Sequence, residues 1–119
     1  DRVSDGLYRM TGITGTLRYM APEVALDQPY NLSADVYSWS MLMWFILALE
    51  APFAFFTQVM LYDRVVHRGS RPTIFKSWPK ALAAIMRRAW DADIENRPSF
   101  TEIKLVIKEQ LYSIERDLM

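Results

Sequence analysis

Between Ser33 and Pro52 lies the segment that most limits how this chain can fold. From Ala34 to Leu49 the residues are apolar nearly all round: Val36, Tyr37 and Trp39, then Met41 through Leu49 without a polar break. A helix with no polar face either crosses a membrane or lies in a core. A membrane span takes roughly 20 apolar residues. Asp35 and Glu50 fence off fewer than that, and Pro52 breaks any continuation into Phe53, Phe55 and Phe56. The segment therefore predicts a core helix, capped by Ser33, with Asp35 at the positive end of its dipole. A helix buried on all sides needs other elements around it.

Those elements follow in the sequence. Thr57 to Arg68 reads as a helix capped at Thr57 and stopped at Gly69. Pro79 to Trp90 carries Leu82, Ile85, Met86 and Ala89 at helical spacing. Ser99-Phe100-Thr101-Glu102 is a capping box, in which serine and glutamate each satisfy a free amide of the first turn. Beyond it, Ile103, Val106, Ile107, Leu111, Ile114 and Leu118 form one apolar stripe. Upstream, Asp1 to Gly15 reads as a mobile loop, and Pro22 to Leu26 as a single helical turn with proline at its first position. No strand-helix-strand alternation and no internal repeat is present, so the expected fold is mainly α with long connecting loops.

Composition removes several classes of function. Fourteen Lys and Arg balance fourteen Asp and Glu, with no basic run, so no footprint for nucleic acid or an anionic membrane is expected. Cysteine is absent, which removes disulfides and thiolate chemistry and suits a cytoplasmic setting. Asp91, Asp93, Glu95 and Glu102 imitate a calcium loop at offsets one, three, five and twelve. Asn96 stands where that loop needs glycine, Pro98 intrudes, and Glu95 is too long for its position, so no metal site is expected. His67, the sole histidine, falls on an exposed helical register and reads as a surface residue. A start at Asp1, without methionine or a charged-then-apolar leader, reads as a piece of a longer protein rather than a secreted precursor.

An ordered series of short motifs points further. Gly15-Thr16, Tyr19-Met20-Ala21-Pro22-Glu23, Asp35-Val36-Tyr37-Ser38-Trp39, Pro52-Phe53, Arg71-Pro72, Trp78-Pro79, Trp90-Asp91 and Arg97-Pro98 occur in the order seen in protein kinases. The chain resembles the C-terminal half of a protein kinase catalytic domain, from the activation segment to the last helix. Its wording is most similar to the tyrosine-kinase-like group, whose members mostly phosphorylate serine and threonine. The resemblance implies an incomplete helical lobe over residues 1–111, with the activation segment and its Ala-Pro-Glu anchor in 1–24, a helical subdomain in 25–111, and the end of the last helix or a tail in 112–119.

The same resemblance assigns roles. Glu23 is similar to the anchor glutamate that ends the activation segment, and Arg97 to the arginine that pairs with it. Asp35 matches the aspartate that hydrogen-bonds the catalytic-loop backbone, a role compatible with a plain helix-terminus charge. Gly15, Thr16 and Tyr19 fall in the substrate-positioning stretch. Thr16 matches the threonine that contacts the catalytic aspartate, and no proline stands where tyrosine kinases commonly carry one. Thr11 and Thr14 lie where kinases are often phosphorylated, with Ser4 and Tyr8 as weaker candidates.

The sequence also lacks parts. A kinase needs a Gly-rich loop, a strand lysine, a catalytic aspartate and asparagine, and the aspartate of Asp-Phe-Gly; none is among these residues. No catalytic residue is therefore expected in this chain, and by itself it should bind neither ATP nor magnesium, which belong to the parent kinase. The implied partners are a protein substrate and the missing upstream lobe. The alternative is a pseudokinase, a kinase-shaped interaction module without chemistry; Thr16 and the intact Ala-Pro-Glu favour the enzyme.

Overall fold

A computed structural model describes residues 14–118, and Asp1–Ile13, with the candidate sites Ser4, Tyr8 and Thr11 and most of the expected loop, lie outside the described residues. Every regular element among them is helical. A helical turn over 14–17 leads into α1 (Pro22–Ala25) and the central α2 (Ser33–Ala48). Next comes α3 (Gln58–Met60), which runs on as a π-helix over Leu61–His67. After it come α4 (Lys80–Ala89), a 3-10 turn (Ile94–Asn96) and α5 (Phe100–Leu118). The fold is the helical lobe of the kinase type.

The caps explain the boundaries. Thr57 accepts the Met60 amide at 3.2 Å, as its position predicts. Ser99 likewise accepts the Glu102 amide at 3.1 Å, but the reciprocal half of the expected box is not made: Glu102 turns instead to Arg88 on α4, in a two-pronged pair whose second contact is 3.1 Å. An arginine within reach outbids one backbone amide because both partners are charged. Ser33 is not the cap of α2 either. It sits inside the first turn, behind Leu32 at the cap position, and the side chain that serves this end is Asn31, whose Oδ1 accepts both the Ser33 amide (2.9 Å) and the Ser33 hydroxyl (2.5 Å). Asparagine two residues before a helix makes this bond to its own chain readily. At the other end Leu49 closes α2 in the left-handed region, with φ 60°.

The core gathers on one side of α2. Tyr37, Met41 and Trp44 pack with Ala21, Met86 and Trp90, while Val36 meets Ile85, Ala89 and Ile103. Leu17, Leu61 and Val65 form a third cluster beneath the 14–17 turn. Burying a side chain of this size stabilises the fold by about 1.5–3 kcal/mol. As the resemblance implies for a chain without the catalytic loop, part of α2 is left open: Leu42, Phe45, Ile46 and Leu49, spaced to share one face, are exposed, Leu49 by 87%. The described elements α4 and α5 reach only the opposite faces. The α5 stripe is corrected, since Ile103 is buried and Val106 and Ile107 pack on the core, but Leu111, Ile114 and Leu118 face solvent. The helix continues to Leu118 rather than ending in a loose tail.

Candidate functional site

The segment that precedes α1 is fastened at several points. Its turn over 14–17 is closed by the Tyr19 amide donating to the Thr16 carbonyl (3.0 Å), and Leu17 drops into the cluster with Leu61 and Val65. Arg18 reaches across to the Phe53 carbonyl at 3.4 Å. Tyr19 packs against the main core, and its carbonyl accepts the Ser38 hydroxyl of α2 at 2.7 Å. These contacts leave Thr16 exposed and Gly15 and Thr14 half-buried on the outer side. A Cβ placed on Gly15 would meet nothing within 4 Å, so no described neighbour demands glycine there.

Glu23 and Arg97, set apart as partners by their motifs, meet. Nη1 and Nη2 of Arg97 donate to the two carboxylate oxygens at 2.6 and 2.9 Å, with side-chain exposures of 0% for arginine and 5% for glutamate. Such a fork fits both charges at once. The same arginine also donates from Nη1 to the Ser33 carbonyl (3.1 Å) and from Nε to the Asp91 carbonyl (2.9 Å). One side chain thus joins α1, the start of α2 and the turn after α4. Burial pushes the Glu23 carboxyl upward, but the Arg97 hydrogen bond, its own backbone amide and the charges of Arg97 and Arg71 outweigh that and hold it below the usual carboxylate range.

Beside the pair lies Tyr37, fully buried, with a guanidinium over its ring on either count: Arg97 at 5.3 Å from the centroid and Arg71 at 5.1 Å. Its hydroxyl finds no hydrogen-bond partner among the described residues, and burial raises its pKa. Asp35 stands apart from this cluster, exposed in the first turn of α2. The pairing of Arg71 with Tyr37 and the Ser38 hydroxyl bond escaped the sequence reading. Both residues lie inside quoted motifs, but spacing alone does not show which face of a helix a loop will cross.

Three of the four acidic residues that imitate a calcium loop are otherwise engaged. Asp91 Oδ1 accepts the Asp93 amide (2.8 Å), Asp93 Oδ1 accepts the Glu95 amide (3.0 Å), and Glu102 pairs with Arg88. No group of three metal-ligating side chains comes together among the described residues. His67 is exposed at the end of the π-helix. An apolar pocket of about 440 Å³ opens between Trp44, Phe53, Phe56, Pro72 and Phe75, away from Gly15 and Thr16.

A family model described as "Protein tyrosine and serine/threonine kinase" matches residues 2–107. The chain belongs to the protein kinase family. It is 39% identical over 109 residues to serine/threonine-protein kinase STY46 of Arabidopsis thaliana, an overlap of 92% of this chain and 18% of that protein. To the human serine/threonine-protein kinase TNNI3K it is 37% identical, over 89% of this chain and 13% of the relative. Dual specificity protein kinase shkE of Dictyostelium discoideum is 36% identical over 84% of this chain and 14% of its own length. The chain thus spans less than a fifth of each of these kinases. No helix among the described residues is long and apolar enough to cross a membrane.

Proposed function

We propose that this chain is the activation segment and helical subdomain of a cytoplasmic protein kinase that transfers the γ-phosphate of ATP to serine or threonine of protein substrates. The observation that carries this reading is the buried Glu23/Arg97 fork, which clamps the end of the segment bearing Gly15, Thr16 and Tyr19 to α2 and to the turn after α4. A substrate peptide needs such a surface held still, because misplacing a reacting group by about 1 Å can cost on the order of a hundredfold in rate. In this reading residues 1–24 are the activation segment with its anchor and 25–111 the helical subdomain. Residues 112–118 only complete the last helix.

In this reading the phosphate and metal ligands of a kinase lie outside the present sequence, so these residues would not hold a magnesium-nucleotide by themselves. Chemistry on the nucleotide falls to the rest of the parent kinase. What these residues supply is positioning: Thr16 on the exposed rim faces outward to order the acceptor groups, while the anchor below it stays fixed. Asp35, exposed at the N-terminus of α2, is available to the catalytic-loop backbone, and Thr14 and Thr11 are candidates for regulatory phosphorylation.

The test uses the complete kinase domain of the parent. Peptide arrays should show serine and threonine peptides phosphorylated, and Thr16→Ala should lower kcat at least tenfold with the fold intact. Dominance of tyrosine peptides, or unchanged turnover in Thr16→Ala, overturns the specificity assignment; no transfer at all with nucleotide bound favours the interaction module instead.

A further inference from the structure

Arg97 has a companion. Arg71 and Arg97 lie over the same buried ring of Tyr37, at 5.1 and 5.3 Å from its centroid. They also take consecutive carbonyls at the end of α4: Arg71 Nε donates to Trp90 at 2.8 Å, and Arg97 Nε donates to Asp91 at 2.9 Å. Arg71 uses its Nη1 on the Val65 carbonyl of the π-helix (3.3 Å) and on the Ser70 carbonyl (2.9 Å). Every one of these acceptors is a neutral carbonyl.

The charges in this cluster do not cancel by pairs. Glu23 and Arg97 neutralise each other, and Arg71 adds a second guanidinium with no carboxylate bonded to it among the described residues. Asp91 acts on Arg71 more strongly than Glu23 does, but it is only half-buried and its carboxylate is turned to the Asp93 amide (2.8 Å) and the Asn96 side chain (3.3 Å). Glu23 is therefore the buried anion on which the charge of Arg71 acts, alongside the carbonyl dipoles and the face of the Tyr37 ring.

We propose that Arg71 is a second cation of the Glu23 anchor, a positioning residue that acts on the carboxylate across the Tyr37 ring and joins the ends of the π-helix and of α4 to the turn bearing Pro22 and Glu23. With Arg97 alone, the turn would be tied to α2 and to the chain after α4. With Arg71 included, the segment over 61–71 is tied to it as well, so a load on the π-helix reaches the end of the 14–23 segment. The groups facing Glu23 are then Arg97, Arg71 and Tyr37, together with its own backbone amide.

The catalytic meaning of this inference rests on the reading of residues 14–23 as a kinase activation segment, but its test does not. The Glu23 carboxyl can be titrated by carbon-detected NMR in the complete kinase domain of the parent, with Arg71→Met and the distant control Arg88→Met. The expected result is an upward shift of the Glu23 midpoint in Arg71→Met and none in Arg88→Met. An unmoved midpoint in Arg71→Met, or an equal shift in the control, overturns the proposal. If Arg71→Met does not fold, Arg71→Lys gives the readout: its single ammonium cannot hold the Trp90 and Val65 carbonyls while lying over the ring. A smaller upward shift supports the proposal, and a midpoint identical to the parent chain overturns it. A kinase assay that fails leaves these outcomes intact.

Discussion

At the scale of single residues, the Glu23/Arg97 pair is the feature most open to measurement. Both charges are withdrawn from water, so removing either partner leaves the other uncompensated, at a cost of about 3–5 kcal/mol. Glu23→Ala and Arg97→Ala should each destabilise the kinase domain by that order in urea unfolding, and the double variant by clearly less than their sum; strict additivity would mean no coupling. The pair also sets a pH dependence. Because the folded state holds Glu23 below its usual range, the unfolded chain binds the proton more readily, and the pair's stabilisation is complete above the ordinary carboxylate pKa. It is lost as pH falls through the lowered folded value. Glu23→Gln should flatten this acid limb of the stability profile. The ion pair was legible in the sequence because two motifs 74 residues apart named its members by resemblance. The crowding of Tyr37 by two arginines was not, since it depends on where the chain after the π-helix crosses α2.

Helix positions and types at the scale of elements could be read from periodicity, and their ends less well. All five expected helical segments are present to within a residue or two, yet two of three assigned caps behave differently: Asn31 serves in place of Ser33, and Glu102 leaves its capping box for Arg88. Local motifs describe what a side chain can do within its own turn, whereas a neighbouring helix offers competitors that only the packed fold reveals. Ser99 keeps its cap, and Ser99→Ala should cost about 1 kcal/mol. The thermal midpoint of the kinase domain checks this, and a neutral outcome would show that the first turn of α5 is held by packing alone. The π-helical stretch over Leu61–His67 had no signal in the hydrophobic pattern, which distinguishes helix from strand but not one helical pitch from another.

For the whole molecule, the exposed face of α2 is the feature with the widest consequence. An all-round apolar helix demands cover on every side, and the described residues supply it on some; the chain spans a small share of each relative. The expected consequence is that the chain by itself binds a hydrophobic dye and associates, driven by Leu42, Phe45, Ile46 and Leu49. The intact kinase domain should not; a monomeric chain without dye binding, seen by light scattering and fluorescence, would show the face to be covered after all. The anchor has a consequence of another kind, in time rather than energy. Its two members are separated by 74 residues, while α4 and α5, and α3 and its π-helical continuation, join over short stretches of chain. Closing a long loop is entropically unfavourable before any contact offsets it. The helices are therefore expected to assemble first and the Glu23/Arg97 fork to engage late, so changes at the anchor should act mainly on the unfolding rate and little on the folding rate in stopped-flow measurements on the kinase domain. An equal effect on both rates would contradict this order. A clamp that closes last lets the segment it holds be released and recaptured while the helical core stays folded.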